Sequence, residues 1–487
     1  MKRFFIFFAV CFAVLAMQAK GGVSYTNPIL PYDYSDPDVI RVGKNYYMTY
    51  STFACIPGLQ ILHSRDGVEW TIVDAALPDT VPGYGGQDAC PAGCGVWAPS
   101  LRFHAGRFYI YYGDPDRGIY CIRSEVTDKI PCRWEPAVLV KPGKGLIDPC
   151  PLWEADGRCW LVHAFAGSRA GFKSALAVCE LTSDGLQQLH DDVLVFDGHP
   201  DNPTCEGPKF HKREGYYYIF CPAGGVKTGW QLCLRSRSPY GPYECKRVLE
   251  QGTTEVNAPH QGAWVDNFFW HFQDVGMAGR IVHVQPLKWH KGWPVIGNDG
   301  EPLITARPEG TTTVTEEFDS RTLPPEWQWS GNRKVQYCFH HADSSFLRLF
   351  TYPADNVQTA SNLLLRKIPY DATFTFEARL RFTPYARNVS HEQAGLIVHG
   401  RKSHTLPVAG DGQWWYARIV MDRSGLCRFY LSRDGRNWSL SGDSFQAVAG
   451  EWIGAKIGFY ATRDRAPIND SGYLDVDRVT MTISFGK

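Results

Sequence analysis

The chain has 487 residues, and its 50 lysines and arginines are balanced by 50 aspartates and glutamates. Zero net charge, with no long basic or acidic run, argues against nucleic acid as a partner and against charged tails. Aromatic residues make up 14 %, and 47 glycines and 32 prolines punctuate the chain; this excludes disorder, collagen and coiled coil and leaves a large, turn-rich globular protein of two or more domains.

The chain begins with Met1-Lys2-Arg3, an apolar run from Phe4 to Met17, and then Gln18-Ala19-Lys20. A basic start, a short apolar stretch and a small residue at a polar boundary predict a secretory signal peptide over 1–19. That implies export to the periplasm or the extracellular space. No later segment is apolar enough for a membrane span. Of the 15 cysteines, Cys11 falls in the leader and twelve lie between Cys55 and Cys245. Many, such as Cys121, Cys179, Cys221 and Cys233, sit inside apolar strand-like runs. Buried thiols with few disulfides are expected, Cys90 and Cys94 being a candidate local bridge or half of a metal site.

From residue 20 to 313 a turn, an aromatic pair and a β-rich run recur five times, centred on Tyr47, Tyr109, Trp160, Tyr218 and Phe269. The separations are 62, 51, 58 and 51 residues, the length of a four-stranded propeller blade with loop variation. An all-β, five-bladed propeller is expected, with an irregular β-sandwich as the competing reading. From 314 to 487 the repeat stops and short period-two strands take over, such as Thr373–Phe382 and Tyr416–Val420, which predicts a β-sandwich domain.

The repeat gives the acidic residues a coordinate. Asp36 lies 11 residues before Tyr47, Asp148 lies 12 before Trp160, and Glu206 lies 12 before Tyr218; Trp97 lies 12 before Tyr109. Near-equal offsets place these side chains around one central funnel. Three converging carboxyls suit glycosidic hydrolysis, which needs one group protonated and another ionised, with a third raising the acid's pKa by like-charge repulsion. Taken singly, an Asp-Pro is a turn initiator. Carboxylates could also hold calcium, although no dense Asp-x-Asp-x-Asp loop is present.

These segments resemble glycoside hydrolase family 43, five-bladed propeller enzymes acting on arabinose- and xylose-containing glycans. Ser35-Asp36-Pro37-Asp38 is similar to its first-blade motif, Gly95-Val96-Trp97-Ala98-Pro99 to the second, and Leu146-Ile147-Asp148-Pro149 to the third. Cys205-Glu206-Gly207-Pro208 and Pro259-His260-Gln261-Gly262 follow for the fourth and fifth. The resemblance implies an inverting hydrolase in which Asp36 is the general base, Glu206 the general acid, and Asp148 the residue that tunes and orients the acid. It implies Phe53, Trp97, Gln261 and Arg280 as sugar contacts and His260 as a candidate metal ligand. The chemistry itself requires no cofactor, and a structural calcium on the propeller axis is the ion expected if one binds. Residues 317–329 resemble the opening of a concanavalin-like (jelly-roll) sandwich found in one branch. The activity expected first is an exo-acting α-L-arabinofuranosidase, with β-D-xylosidase as the alternative and a non-catalytic carbohydrate-binding protein after it. A monomer acting on an arabinose- or xylose-containing glycan is expected. The sequons at Asn388 and Asn437 carry no functional weight.

Overall fold

The computed structural model describes residues 25–341, 345–385, 391–465 and 469–486. The leader expected at 1–19 and the Asn388 sequon lie outside them. No helix among the described residues is long and apolar enough to cross a membrane.

Five antiparallel four-stranded sheets follow one another along the chain. Blade 1 holds β1 (Asp38–Val42), β2 (Asn45–Thr49), β3 (Gly58–Ser64) and β4 (Thr71–Leu77). Blade 2 holds β5 (Trp97–His104), β6 (Arg107–Asp114), β7 (Gly118–Arg123) and β8 (Val138–Pro142). Blade 3 holds β9 (Leu146–Trp153), β10 (Cys159–Phe165), β11 (Ala175–Leu181) and β12 (Val193–Asp197), with a one-turn helix α1 (Gly167–Ala170) after β10. Blade 4 holds β13 (Lys209–Arg213), β14 (Tyr216–Ala223), β15 (Trp230–Ser236) and β16 (Glu244–Glu250), with α2 (Gly225–Thr228) after β14. Blade 5 holds β17 (His260–Val265), β18 (Phe268–Asp274), β19 (Arg280–His290) and β20 (Trp293–Ile296). The repeated aromatics Tyr47, Tyr109, Trp160, Tyr218 and Phe269 all lie on the second strand of a blade and are buried. Hydrophobic packing between sheets therefore sets the period read in the sequence.

The ring is closed by the segment before β1. Leu30 exchanges both backbone hydrogen bonds with Val282 of β19, and the Asn27 amide bonds the backbone of Val284. Residues 27–30 thus add an isolated bridge and a side-chain amide pair along β19 of blade 5, which cover part of an edge that would otherwise be open.

The second domain is a sandwich of two sheets. One is ordered Cys338–His340, Leu347–Phe350, Tyr473–Phe485, Thr373–Thr383, Trp414–Met421, Leu426–Ser432 and Ser439–Leu440. The facing sheet is ordered Gln328–Trp329, Leu364–Lys367, Lys456–Arg463, Gln393–His399 and His404–Pro407. Period-two burial along Thr373–Thr383 shows why this segment reads as a strand: its Phe and Leu side chains enter the core while Thr, Glu and Arg face out. A strand that spans the expected boundary at 313/314 also joins the first of these sheets. Gly310–Glu316 pairs with the end of Tyr473–Phe485, and Thr311, Thr313 and Thr315 pair hydroxyl to hydroxyl with Ser484, Thr482 and Thr480. A threonine ladder on an exposed strand has no apolar alternation, which is why this segment does not announce itself.

The expectation of buried thiols holds, and the candidate Cys90–Cys94 bridge is not formed: all fourteen cysteines from Cys55 to Cys427 are free thiols. Most are buried, several on the blade strands, where they act as small apolar fillers.

The two domains are stitched through their backbones. Ile56 and Trp329 form a bridge, Tyr370 donates its N–H to Pro31 O at 2.7 Å, and Ala455 donates its N–H to Met277 O at 2.7 Å.

Buried histidines couple this fold to pH. His271 stacks on His283 at 5.3 Å inside blade 5, and burial pulls its pKa down to about 4. Burial does the same at His399 in the sandwich. Below about pH 6.5 the unfolded chain binds protons that these rings refuse, so the histidine contribution to stability falls as pH drops from 6.5 towards 4. The buried carboxyls of Asp33 and Asp148, whose pKa values are raised, act in the opposite sense. The histidine share is therefore read by difference. His271→Gln is expected to reduce the loss of urea midpoint between pH 7 and pH 5, and an unchanged pH slope would disprove this account.

Candidate active site

The strand register places the three acids more finely than residue counting. Tyr47 lies opposite Ile40, Tyr109 opposite Arg102, Trp160 opposite Leu152 and Tyr218 opposite His211. Counting back four residues along each inner strand gives Asp36, Ala98, Asp148 and Gly207. All four have left-handed backbones, with φ of 55°, 36°, 57° and 58°, and each precedes a proline. Asp36 and Asp148 are thus true equivalents, whereas Glu206 and Trp97 sit one residue earlier. The turn between β9 and β10 is one residue longer, and this hid the offset in the sequence. Left-handed geometry at a non-glycine residue costs on the order of 1–3 kcal/mol. It recurs at each blade mouth because it turns the chain from the rim into the inner strand.

Asp36 is buried and accepts hydrogen bonds from three side chains. Its Oδ2 receives Ser35 Oγ at 2.8 Å and Ser51 Oγ at 2.5 Å. Arg280 Nη1 lies 3.1 Å from Oδ1 and 2.7 Å from Ser35 Oγ. Asp148 is also buried and accepts the Gly207 N–H at 2.8 Å. Burial pushes its pKa well above the usual carboxylate range, and the charges of Glu206 and Asp36 add to this, against the Gly207 bond and the Lys209 ammonium. Glu206 is more open, its side chain 27 % exposed, and its Oε1 lies 3.1 Å from His260 Nε2. The charge of Glu206 thus reaches Asp148 across the site and disfavours its ionised form.

His260 was expected as a candidate metal ligand; its ring instead contacts Glu206. Among the described residues no group of three or more His, Cys, Asp or Glu is arranged to hold a metal ion. The axis itself is filled by protein. Lys209, at the start of blade 4, is fully buried and donates to Pro99 O and Ser100 Oγ of blade 2, each at 2.8 Å. Blades 2 and 4 are not neighbours in a ring of five, so these bonds span the axis. Asp38 of blade 1 lies 3.8 Å from the same ammonium and pairs with Arg102 at 2.7 Å. A buried ammonium at this point does not fit a calcium cage there. The two cysteines beside the acids are packing residues. Cys150 Sγ lies 2.7 Å from Arg102 Nη2 and accepts the Phe210 N–H at 3.1 Å, and Cys205 Sγ lies 3.6 Å from Cys221 Sγ.

One cavity of about 420 Å³ brings Asp36, Asp148, Glu206, Phe53, Trp97, Gln261 and Arg280 together. Phe53 is fixed by a backbone exchange with Val96, and its ring meets Trp97 edge-on at 6.4 Å. Trp97 is anchored through Nε1 to Gly93 O at 2.8 Å. Gln261 is buried in the wall, and its Nε2 is a buried donor with no hydrogen-bond partner among the described residues.

Two members of the site have no signal in the sequence. Trp452, on a loop of the sandwich, completes the cavity wall; its ring lies 6.2 Å from Trp97 and 5.9 Å from the Arg280 guanidinium. Asp33 lies beneath both. Its Oδ1 accepts the Arg280 N–H at 2.9 Å and its Oδ2 accepts the Gly454 N–H at 3.0 Å. A Cβ added to Gly279 would come within 2.4 Å of Asp33 Oδ1, so only glycine permits this approach. One buried carboxylate thus joins the arginine on the Asp36 side to the loop carrying Trp452. Neither residue belongs to the blade repeat, so residue offsets could not find them.

A propeller with two rigid carboxylates and a more open third around an aromatic-walled pocket defines a glycoside hydrolase. The chain belongs to glycosyl hydrolases family 43, whose family model matches residues 25–294. A second model, the beta xylosidase C-terminal concanavalin A-like domain, matches residues 315–413. A putative beta-xylosidase of Xylanibacter ruminicola is 34 % identical over 479 residues, covering 91 % of this chain and 87 % of that protein. A non-reducing end alpha-L-arabinofuranosidase of Bacteroides ovatus is 28 % identical, covering 82 % and 77 %. Among solved structures, a family 43 protein from Bacillus licheniformis superimposes with a TM-score of 0.79 at 23 % identity, covering 95 % of this chain and 100 % of that one.

Proposed function

We propose that the protein is an exo-acting, inverting hydrolase that removes terminal β-D-xylosyl residues from xylose-containing glycans. Export, supported by the leader-like start, would bring it to extracellular or periplasmic oligosaccharides. The observation that carries the reading is the cavity itself, where Asp36, Asp148 and Glu206 converge inside walls contributed by both domains. Xylosidase is placed before arabinofuranosidase, reversing the order expected from sequence, because two relatives matched over 91 % and 95 % of this chain are named putative beta-xylosidase and beta-xylosidase. The Bacteroides ovatus relative keeps the arabinofuranosyl reading as the second one.

In this mechanism Asp36, held by Arg280, Ser35 and Ser51, takes a proton from water on one face of the sugar. Glu206 gives its proton to the leaving oxygen on the other. Asp148 keeps that proton on the pair, since a second negative charge beside it is unfavourable. Asp148→Asn removes the buried carboxyl whose pKa is raised beside Glu206. The alkaline limb of kcat/KM is expected to move, and an unmoved limb would assign Asp148 another role. The reading as a whole is tested by turnover of nitrophenyl β-D-xyloside against nitrophenyl α-L-arabinofuranoside. Faster turnover of the xyloside is expected; faster turnover of the arabinofuranoside exchanges the two readings, and inactivity on both rejects the substrate class.

A further inference from the structure

The catalytic cavity is not closed on the sandwich side. A second, larger cleft of about 840 Å³ adjoins it and shares Val226, Arg280 and Trp452 with it. The cleft runs along the domain seam, with Lys227 of α2 and the Asp274–Gly279 turn contributed by the propeller, and Arg401, Lys402 and the 448–453 loop contributed by the sandwich. Its charges are uneven. Arg280 is committed to Asp36, and Arg401 is paired with Glu451 at 2.8 Å. Asp274 is the acid on the lining, 4.0 Å from Arg280 Nε. Lys227 and Lys402 are exposed and have no carboxylate within ion-pair distance among the described residues. In a chain of zero net charge, two unpaired ammonium groups from different domains mark a local positive region beside the reacting pocket.

We propose that this cleft receives the part of the glycan beyond the cleaved sugar and prefers one that carries a carboxylate, that is, a uronic acid branch. The inference rests on the function proposed above. Trp452, Val226 and Arg280 form the rim common to the two cavities, so a sugar chain leaving the acids crosses this rim before reaching the lysines. An ammonium is a flexible point charge suited to a carboxylate on a mobile branch, whereas a neutral sugar gains little from it.

The test is binding, measured by calorimetry on the full chain carrying Glu206→Gln so that substrate persists. The probes are a glucuronic-acid-branched xylo-oligosaccharide and the same molecule with its carboxyl reduced to an alcohol. The acidic probe is expected to bind about 10-fold more tightly, with the advantage shrinking as salt rises. Adding Lys227→Glu and Lys402→Glu should abolish or invert that ratio. Equal affinities for the two probes, or a ratio that survives both charge reversals, would overturn the inference. Hydrolysis decides the parent reading separately: a chain that binds the acidic probe selectively but cleaves neither nitrophenyl glycoside keeps the cleft and loses the reaction.

Discussion

Glu206→Gln is expected to lower kcat/KM on xylo-oligosaccharides by about 10²- to 10⁴-fold, the range for loss of a positioned general acid. On the nitrophenyl glycoside the loss should be much smaller. Nitrophenolate leaves without a proton, whereas a sugar alkoxide does not. Asp36→Asn should be indifferent to the leaving group, because water must be activated in either case. Asparagine is a fair probe there: it is nearly isosteric with Asp and tolerates the left-handed backbone at φ 55°. The contrast between the two variants separates acid from base without reference to any relative. Equal losses for Glu206→Gln on both substrates would show that it does not protonate the leaving group. A leaving-group-dependent loss for Asp36→Asn would exchange the two roles.

The blades were legible because burial imposes a period. Five aromatics recur on five second strands, and a core position repeated five times writes itself into the sequence. The acids were legible for the same reason, though blurred by one residue. A longer turn in blade 3 made Asp148 and Glu206 look equivalent, and only the ladder of Leu152 opposite Trp160 and His211 opposite Tyr218 separates them. What lay outside the repeat was hidden. Lys209 reads as an ordinary strand-starting lysine, because nothing local says that its ammonium crosses to blade 2. Asp33 and Gly454 are 421 positions apart and meet only because the domains dock, which also brings Trp452 to the pocket. Such long-range pairings carry no periodic signal, and they are where the pocket acquires its shape.

Trp452 allows catalytic and structural roles to be separated by a single change. It is a large aromatic side chain, 46 % exposed, on a backbone with φ 61°. Neither property favours folding: nearly half of the ring stays exposed, and left-handed geometry is unfavourable for any residue with a Cβ. Trp452→Gly removes both burdens, since glycine adopts this φ freely. The expected result is a Tm within about 3 °C of wild type together with a fall in kcat/KM of about 10- to 100-fold, the equivalent of losing one well-packed aromatic contact with the sugar. The loss should appear mainly in KM, because the ring lines the cavity and touches Trp97 and Arg280 while the acids keep their own hydrogen bonds. A large drop in Tm with unchanged kinetics would make Trp452 a docking residue and the sandwich a brace. The expected outcome makes the sandwich part of the binding site, held in place by Asp33 bridging Arg280 and Gly454.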